Sequence, residues 1–99
     1  MGNKIFIIQL MNGRSDEEIQ YERKYVETKL RECGYDPINS FIQDNAPNSV
    51  NAPVWYLGRS IEMLSKADYI YSIPGWEAGR GCRIEKAVAR EYGIPEAKL

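Results

Sequence analysis

The stretch "PGWEAGRGCRIEKAVAREYG", residues 74–93, concentrates the groups that could do chemistry. Gly75, Gly79 and Gly81 can take backbone angles closed to other residues and let a ligand approach the main chain. The helix expected behind them offers free N–H groups and a partial positive charge, which favour an anion. Arg80 and Arg83 could add forked, charge-assisted bonds to a phosphate or carboxylate. Glu85 is the sharpest candidate. A carboxylate in a first helical turn is held in its charged form, available as a nucleophile or as an acceptor for hydroxyl groups. Both patterns also have plain structural uses, because glycines make turns and acidic residues stabilise first turns. Trp76 and the tyrosines Tyr56, Tyr69 and Tyr71 could stack on a base or simply pack. Glu77 is the other acid of the loop.

A smaller version of this arrangement stands near the start of the chain. In "QLMNGRSDEE", Asn12, Gly13 and Arg14 precede a second expected helix. No Gly-Lys-Ser/Thr follows at the right spacing, so this is not a Walker loop. The candidate ligand-binding set is Gln9, Met11, Asn12, Gly13 and Arg14, with Gly75, Trp76, Glu77, Gly79, Arg80 and Gly81. Glu85 is the candidate catalytic residue. No metal or other cofactor is expected: histidine is absent, and Cys33 and Cys82 lack metal-ligand spacing. The lack of histidine also removes the usual general base and any Ser-His or Cys-His pair.

The elements that must position these loops follow from hydrophobic pattern. Residues 4–10, "KIFIIQL", form a continuous β-branched and aromatic run, suited to a central strand buried on both faces. Ser15 with Glu18 three residues later is a capping box, predicting a helix from Asp16. Ile19, Val26, Leu30 and Cys33 share one face of it, with Cys33 buried, and Gly34 supplies the left-handed stop. Residues 36–42 can form a weaker second strand, and residues 43–53 a polar loop long enough for a lid. A helix from residue 54 carries Leu57, Ile61 and Leu64 at i, i+4 and i+7. A third strand spans residues 68–74, ended by Pro74, and Ile84, Ala87 and Val88 mark a last helix closed by Gly93. The final residues leave at most a short strand. Strand and helix alternate three times, the pattern of an α/β, doubly wound, mainly parallel sheet flanked by helices. In such sheets ligands bind beyond the carboxyl ends of the strands, where residues 11–15 and 74–81 fall.

The 99 residues suffice for one domain, residues 1–99, and a chain this small gains from burial against a second copy. Net charge is −1 without a basic cluster, which argues against extended nucleic acid and anionic membrane as partners. The apolar run of residues 5–10 is too short for a signal peptide or a membrane span, so a cytoplasmic protein with reduced thiols is expected.

The blocks "MNGRSDEEI" and "YLGRSIEMLSKADYIYSIPGWEAGRGCRIEKAVAREYGIP", with their spacing, resemble the small phage and bacterial relatives of nucleoside 2-deoxyribosyltransferases. They are also similar to deoxynucleoside-monophosphate N-glycosidases. The resemblance runs over residues 4–95 and is most specific in "KADYIYSIPGWEAGRGCRIEKAVA". It implies a Rossmann-like sheet, a homodimer or higher homo-oligomer, and a nucleoside or nucleotide as small-molecule partner. By position Glu85 matches the glutamate that attacks the anomeric carbon of the sugar. Gly13 and Arg14 match the loop that accompanies the sugar or 5′-phosphate. The family's enzymes commonly carry an aspartate where this chain has Ser60, and Asp or Ser where it has Gly79. Many relatives also have Gly-Pro or Gln-Pro before the Met of the first loop, where this chain has Gln9 and Leu10. Cleaving an N-glycosidic bond needs a carboxylate to capture the sugar and a proton donor for the departing base. With Ser60 and Gly79 in place, Glu77 or a tyrosine would have to donate that proton. The resemblance thus implies a nucleotide-binding protein, such as a phage protein that sequesters a nucleotide signal, or else an N-glycosidase or deoxyribosyltransferase using Glu85.

Overall fold

In the computed structural model, which describes residues 2–99, everything is arranged around the first strand. Strands β1 (Lys4–Ile8), β2 (Asp36–Pro37) and β3 (Tyr69–Ser72) are parallel and lie in the order β2-β1-β3. Helices α1 (Asp16–Glu32), α2 (Ala52–Leu64) and α3 (Arg80–Glu91) alternate with them and cover both faces. The architecture is the α/β, Rossmann-like one that the pattern predicts.

β1 explains why its residues read as a continuous apolar run. Ile5 and Ile7 pack with Val26 and Leu30 of α1, whereas Phe6 and Ile8 pack with Leu64 of α2 and Cys82 and Ala89 of α3. Alternate side chains therefore enter two different cores, and all are buried. Each such side chain contributes roughly 1.5–3 kcal/mol of burial energy. Because β2 and β3 pair with opposite edges of β1, the chain changes winding direction at β1. The loops that leave β1 and β3 then diverge and open a crevice between them.

α1 begins where its cap dictates. Ser15 Oγ accepts the Glu18 N–H at 3.1 Å, and Gly34 ends the helix at φ +92°. Cys33 corrects the sequence reading: it is exposed at the C-cap, one step past the buried stripe of Val26 and Leu30. The second strand is also shorter than predicted. Past Pro37 only the Ile38 N–H still reaches the sheet, at the Ile5 carbonyl (2.9 Å), and Asn39 Oδ1 then accepts the Phe41 N–H (3.1 Å) and turns the chain away. α2 starts at Ala52, two residues before the predicted position. Asn51 Oδ1 caps the Val54 N–H at 3.2 Å, and Pro53 fits the first turn, where it costs no hydrogen bond.

The last residues cover the outer edge of β3. The Ile70 N–H donates to the Pro95 carbonyl (2.9 Å) and the Ala97 N–H to the Ile70 carbonyl (2.7 Å). Glu96 fixes this segment by accepting from the Ser72 N–H (2.7 Å), the Ser72 hydroxyl (2.9 Å) and the Lys86 ammonium. Among the described residues no helix is long and apolar enough to cross a membrane.

Candidate functional site

The crevice at the carboxyl ends of β1 and β3 holds a cavity of about 420 Å³, within the size range of small-molecule sites. Local chain geometry builds its walls. After β3, Gly75 at φ +101° turns the chain into a single 3-10 turn, Trp76–Ala78, and Gly79 returns it to an extended conformation. α3 starts at Arg80 with no side chain capping it, and its first backbone bond is donated by Arg83 to the Gly79 carbonyl (3.0 Å). The N–H groups of Arg80, Gly81 and Cys82 are thus left without helical partners on residues that line the cavity. Gly79 is buried there. A Cβ at this position would lie 2.9 Å from Cys82 Sγ and 3.1 Å from Leu10 Cδ1, so these two side chains already fill the space.

Glu85 lies in the second turn of α3, because the helix starts at Arg80. This corrects the expectation that a first-turn position would keep it ionised: burial pushes its carboxyl up to about 7. A side-chain hydrogen bond with Ser60 of α2 works in the opposite direction without offsetting the burial. A carboxyl that exchanges its proton near neutrality suits acid–base work, and it favours hydroxyl binding in either state. Cys82, one turn earlier, has its thiol pushed up to about 11 by burial and by the neighbouring Glu85 charge. At neutral pH it is a protonated, unreactive thiol.

Seven of the candidate residues come together around this cavity: Gln9, Met11, Asn12, Gly79, Arg80, Gly81 and Glu85. The other five lie outside its lining, each for a visible reason. Gly13 forms the left-handed turn that leads into α1 (φ +76°). Arg14 bonds the Glu22 carboxylate at 2.6 Å and the Leu10 carbonyl at 3.1 Å. Gly75 makes its turn in solvent, and Trp76 packs on the α2–α3 core with the Lys86 ammonium 4.6 Å above its ring. Glu77 is exposed, and its carbonyl accepts Arg83 at 2.8 Å, which also takes Arg83 to the outer side of the loop. Tyr69 packs edge-on against Tyr35 at 5.1 Å rather than reaching the site.

Several cavity residues come from the segment after β2 and from α2. Ser40, Phe41 and Ile42 form one side, and Pro53, Tyr56 and Leu57 another. Of these, Tyr56 is the one the sequence offers as a stacking ring, while residues 40–42 are expected in a strand and the polar loop of residues 43–53 suggests a lid. That loop is fastened to α2: the Tyr56 hydroxyl accepts the Ala46 N–H (3.2 Å), and Asp44 pairs with Arg59 (3.0 Å). Glu85 is the only carboxyl that lines the cavity among the described residues. Gln9 is buried, with its Nε2 donating to the Ile19 carbonyl (2.9 Å) and to Glu22 (3.1 Å), while its Oε1 has no partner. No group of residues able to hold a metal ion occurs among the described residues.

One family model, described as "Domain of unknown function (DUF4406)", matches residues 3–96. No curated protein and no solved structure matches the chain.

Proposed function

The chain belongs to the DUF4406 family, and from its crevice we propose that it binds a nucleoside or nucleotide as a cytoplasmic small-molecule partner. One observation carries this reading. A half-buried carboxyl, Glu85, and the uncapped N-terminus of α3 face the same 420 Å³ cavity. In this reading Glu85 takes the sugar hydroxyls, and Arg80 with the first N–H groups of α3 takes phosphate. Phe41, Tyr56 and Leu57 offer the apolar surface that a base needs. Arg14 is not part of the phosphate site here, because Glu22 already holds it.

Capture fits this pocket better than turnover. Cleaving an N-glycosidic bond asks for a nucleophile and a proton donor, and one carboxyl cannot be both in the same step. Glu85 has no second carboxyl beside it, and the space at Gly79 is closed by Cys82 and Leu10. Glu77, the fallback acid, is exposed outside the lining. The glycosidase reading survives on one specific feature, the placement of the Glu85 carboxyl near 7, with the Tyr56 hydroxyl as its remaining donor. The binding reading covers a role in sequestering a nucleotide signal. It also takes the chain as a homodimer or higher oligomer, since Tyr21, Val54 and Tyr92 are large apolar side chains left in water; light scattering reads the mass directly.

The test is a thermal-shift and chromatography panel of nucleosides and nucleotides. A ligand at a hundred times its Kd adds about 2.7 kcal/mol of stability. The expected result is a higher melting temperature, lost in Glu85→Ala and Arg80→Ala, with the ligand recovered intact. Free base in the mixture would favour the glycosidase, and no shift with any member would sink the nucleotide reading.

A further inference from the structure

The Glu85 cavity does not end at a free rim. Its Phe41 wall is also a wall of a second, shallower groove of about 620 Å³, between α1 and the segment leaving β2. Phe41 is 68% exposed. Its backbone is held in place. The Asn39 side chain accepts its N–H (3.1 Å), and the preceding Ile38 is tied by its own N–H to β1 and by its carbonyl to Arg23 of α1 (3.1 Å). An exposed ring on an anchored backbone that lines both the cavity and the groove offers a surface on which a base can stack.

The groove differs from the cavity in charge. Arg23, Lys24 and Arg31 line it against a single carboxylate, Glu27, with the Asn39 amide beside them. Glu27 sits 3.7 Å from Arg23, while Lys24 and Arg31 make no ion pair among the described residues. In a chain of net charge −1 this is a local excess of cations. Arg23 is also desolvated, which weakens its hold on the proton, and an anion in the groove would repay that cost. The groove has the composition of a phosphate subsite.

We infer that this groove holds the phosphorylated extension of a nucleotide whose nucleoside end occupies the Glu85 cavity, with Phe41 shared between the two. The inference rests on the nucleotide reading above and narrows it to extended nucleotides. Their additional phosphates come either from a polyphosphate chain or from a second nucleotide. In the second case the other base has the exposed Phe41 ring to stack on. A plain nucleoside fills the cavity and leaves the groove empty.

The experiment measures Kd by calorimetry for nucleosides, 5′-monophosphates, 5′-triphosphates and dinucleotides of the four common bases. The native chain is compared with a Lys24→Glu/Arg31→Glu double variant, whose two sites are exposed on α1 and bond nothing that holds the fold. The expected result is that one extended class binds at least about tenfold tighter than its monophosphate. That advantage falls with added salt and disappears in the double variant, while binding of the nucleoside is unchanged. Whether triphosphate or dinucleotide gains more names the source of the phosphates. Equal affinity for short and extended ligands, or an advantage that survives charge reversal, overturns the inference and leaves the nucleotide reading standing. Absence of binding by every member overturns both.

Discussion

Cys82 Sγ stands where a side chain at Gly79 would have to go: a Cβ built there falls 2.9 Å from it. Gly79 is therefore required by packing at the mouth of the cavity, although its backbone is in an ordinary extended conformation. Gly79→Ser should cost about 1–3 kcal/mol of stability through overpacking. In a Cys82→Ala background the same substitution should cost clearly less, because the obstructing sulfur is gone. Urea denaturation of the four proteins of the cycle measures the coupling. Additive costs would show that the two positions do not compete for space.

Glu85 should make stability fall as pH rises. Its folded carboxyl titrates at about 7 against an ordinary value of 4.5, so the folded state holds the proton more tightly than the unfolded state. The contribution is complete below pH 4.5 and is lost as pH climbs through 7. At about 1.4 kcal/mol per unit, the whole loss is on the order of 3 kcal/mol. Glu85→Gln, which cannot ionise, should match the native chain near pH 4.5 and exceed it in stability at pH 8. A difference that does not change with pH would place the carboxyl in a solvated setting. Ser60→Ala should move the titration further upward, since the Ser60 hydrogen bond favours the charged form.

The behaviour of Glu85 also marks where sequence reading stops. The β1 run, the Ser15 cap and the Gly34 stop are legible because each depends on residues within a turn or a strand of one another. The crevice is legible too, since alternating strands and helices fix which loops meet at the carboxyl ends. The protonation of Glu85 is not legible. It depends on burial in the crevice and on Ser60 of α2, which lies more than 20 residues away in the chain. The fate of Arg14 is hidden for the same kind of reason. A glycine-flanked arginine at a helix start suggests a ligand, and only the fold brings Glu22 to within 2.6 Å of it. Cys33 fails although its spacing fits the stripe, because the helix ends at Glu32 and leaves Cys33 exposed at the C-cap.

The segment after β2 should be the part of the site that loosens first. Its ties to α2 are the exposed Asp44–Arg59 pair and the bond from the Ala46 N–H to the Tyr56 hydroxyl. An exposed pair contributes about 0.2–1 kcal/mol, so Arg59→Ala should barely change global stability. Tyr56→Phe removes a single hydrogen bond and should cost about 1 kcal/mol. Both variants should raise amide hydrogen exchange in residues 40–50 while leaving β1 protected. Exchange that rises equally in β1 and in the segment would mean that the segment opens only with the whole fold.

Arg14 separates a structural role from a ligand-binding one. Its guanidinium bonds Glu22 and the Leu10 carbonyl, and Glu22 in turn accepts from Gln9 at the floor of the site. Removing the arginine leaves the Glu22 carboxylate with only the Gln9 amide as a side-chain partner, while Gln9 already carries an unpartnered Oε1. Arg14→Ala should therefore lower the melting temperature. Arg14→Lys should restore much of it, since Nη1 alone donates both bonds and an ammonium also offers several N–H groups on one nitrogen. Nucleotide affinity in the folded fraction should change by less than about tenfold, because the guanidinium does not line the cavity. An affinity loss well beyond that with an unchanged melting temperature would put Arg14 on the phosphate after all, and the Glu22 pair would then be a resting position that it leaves when ligand arrives.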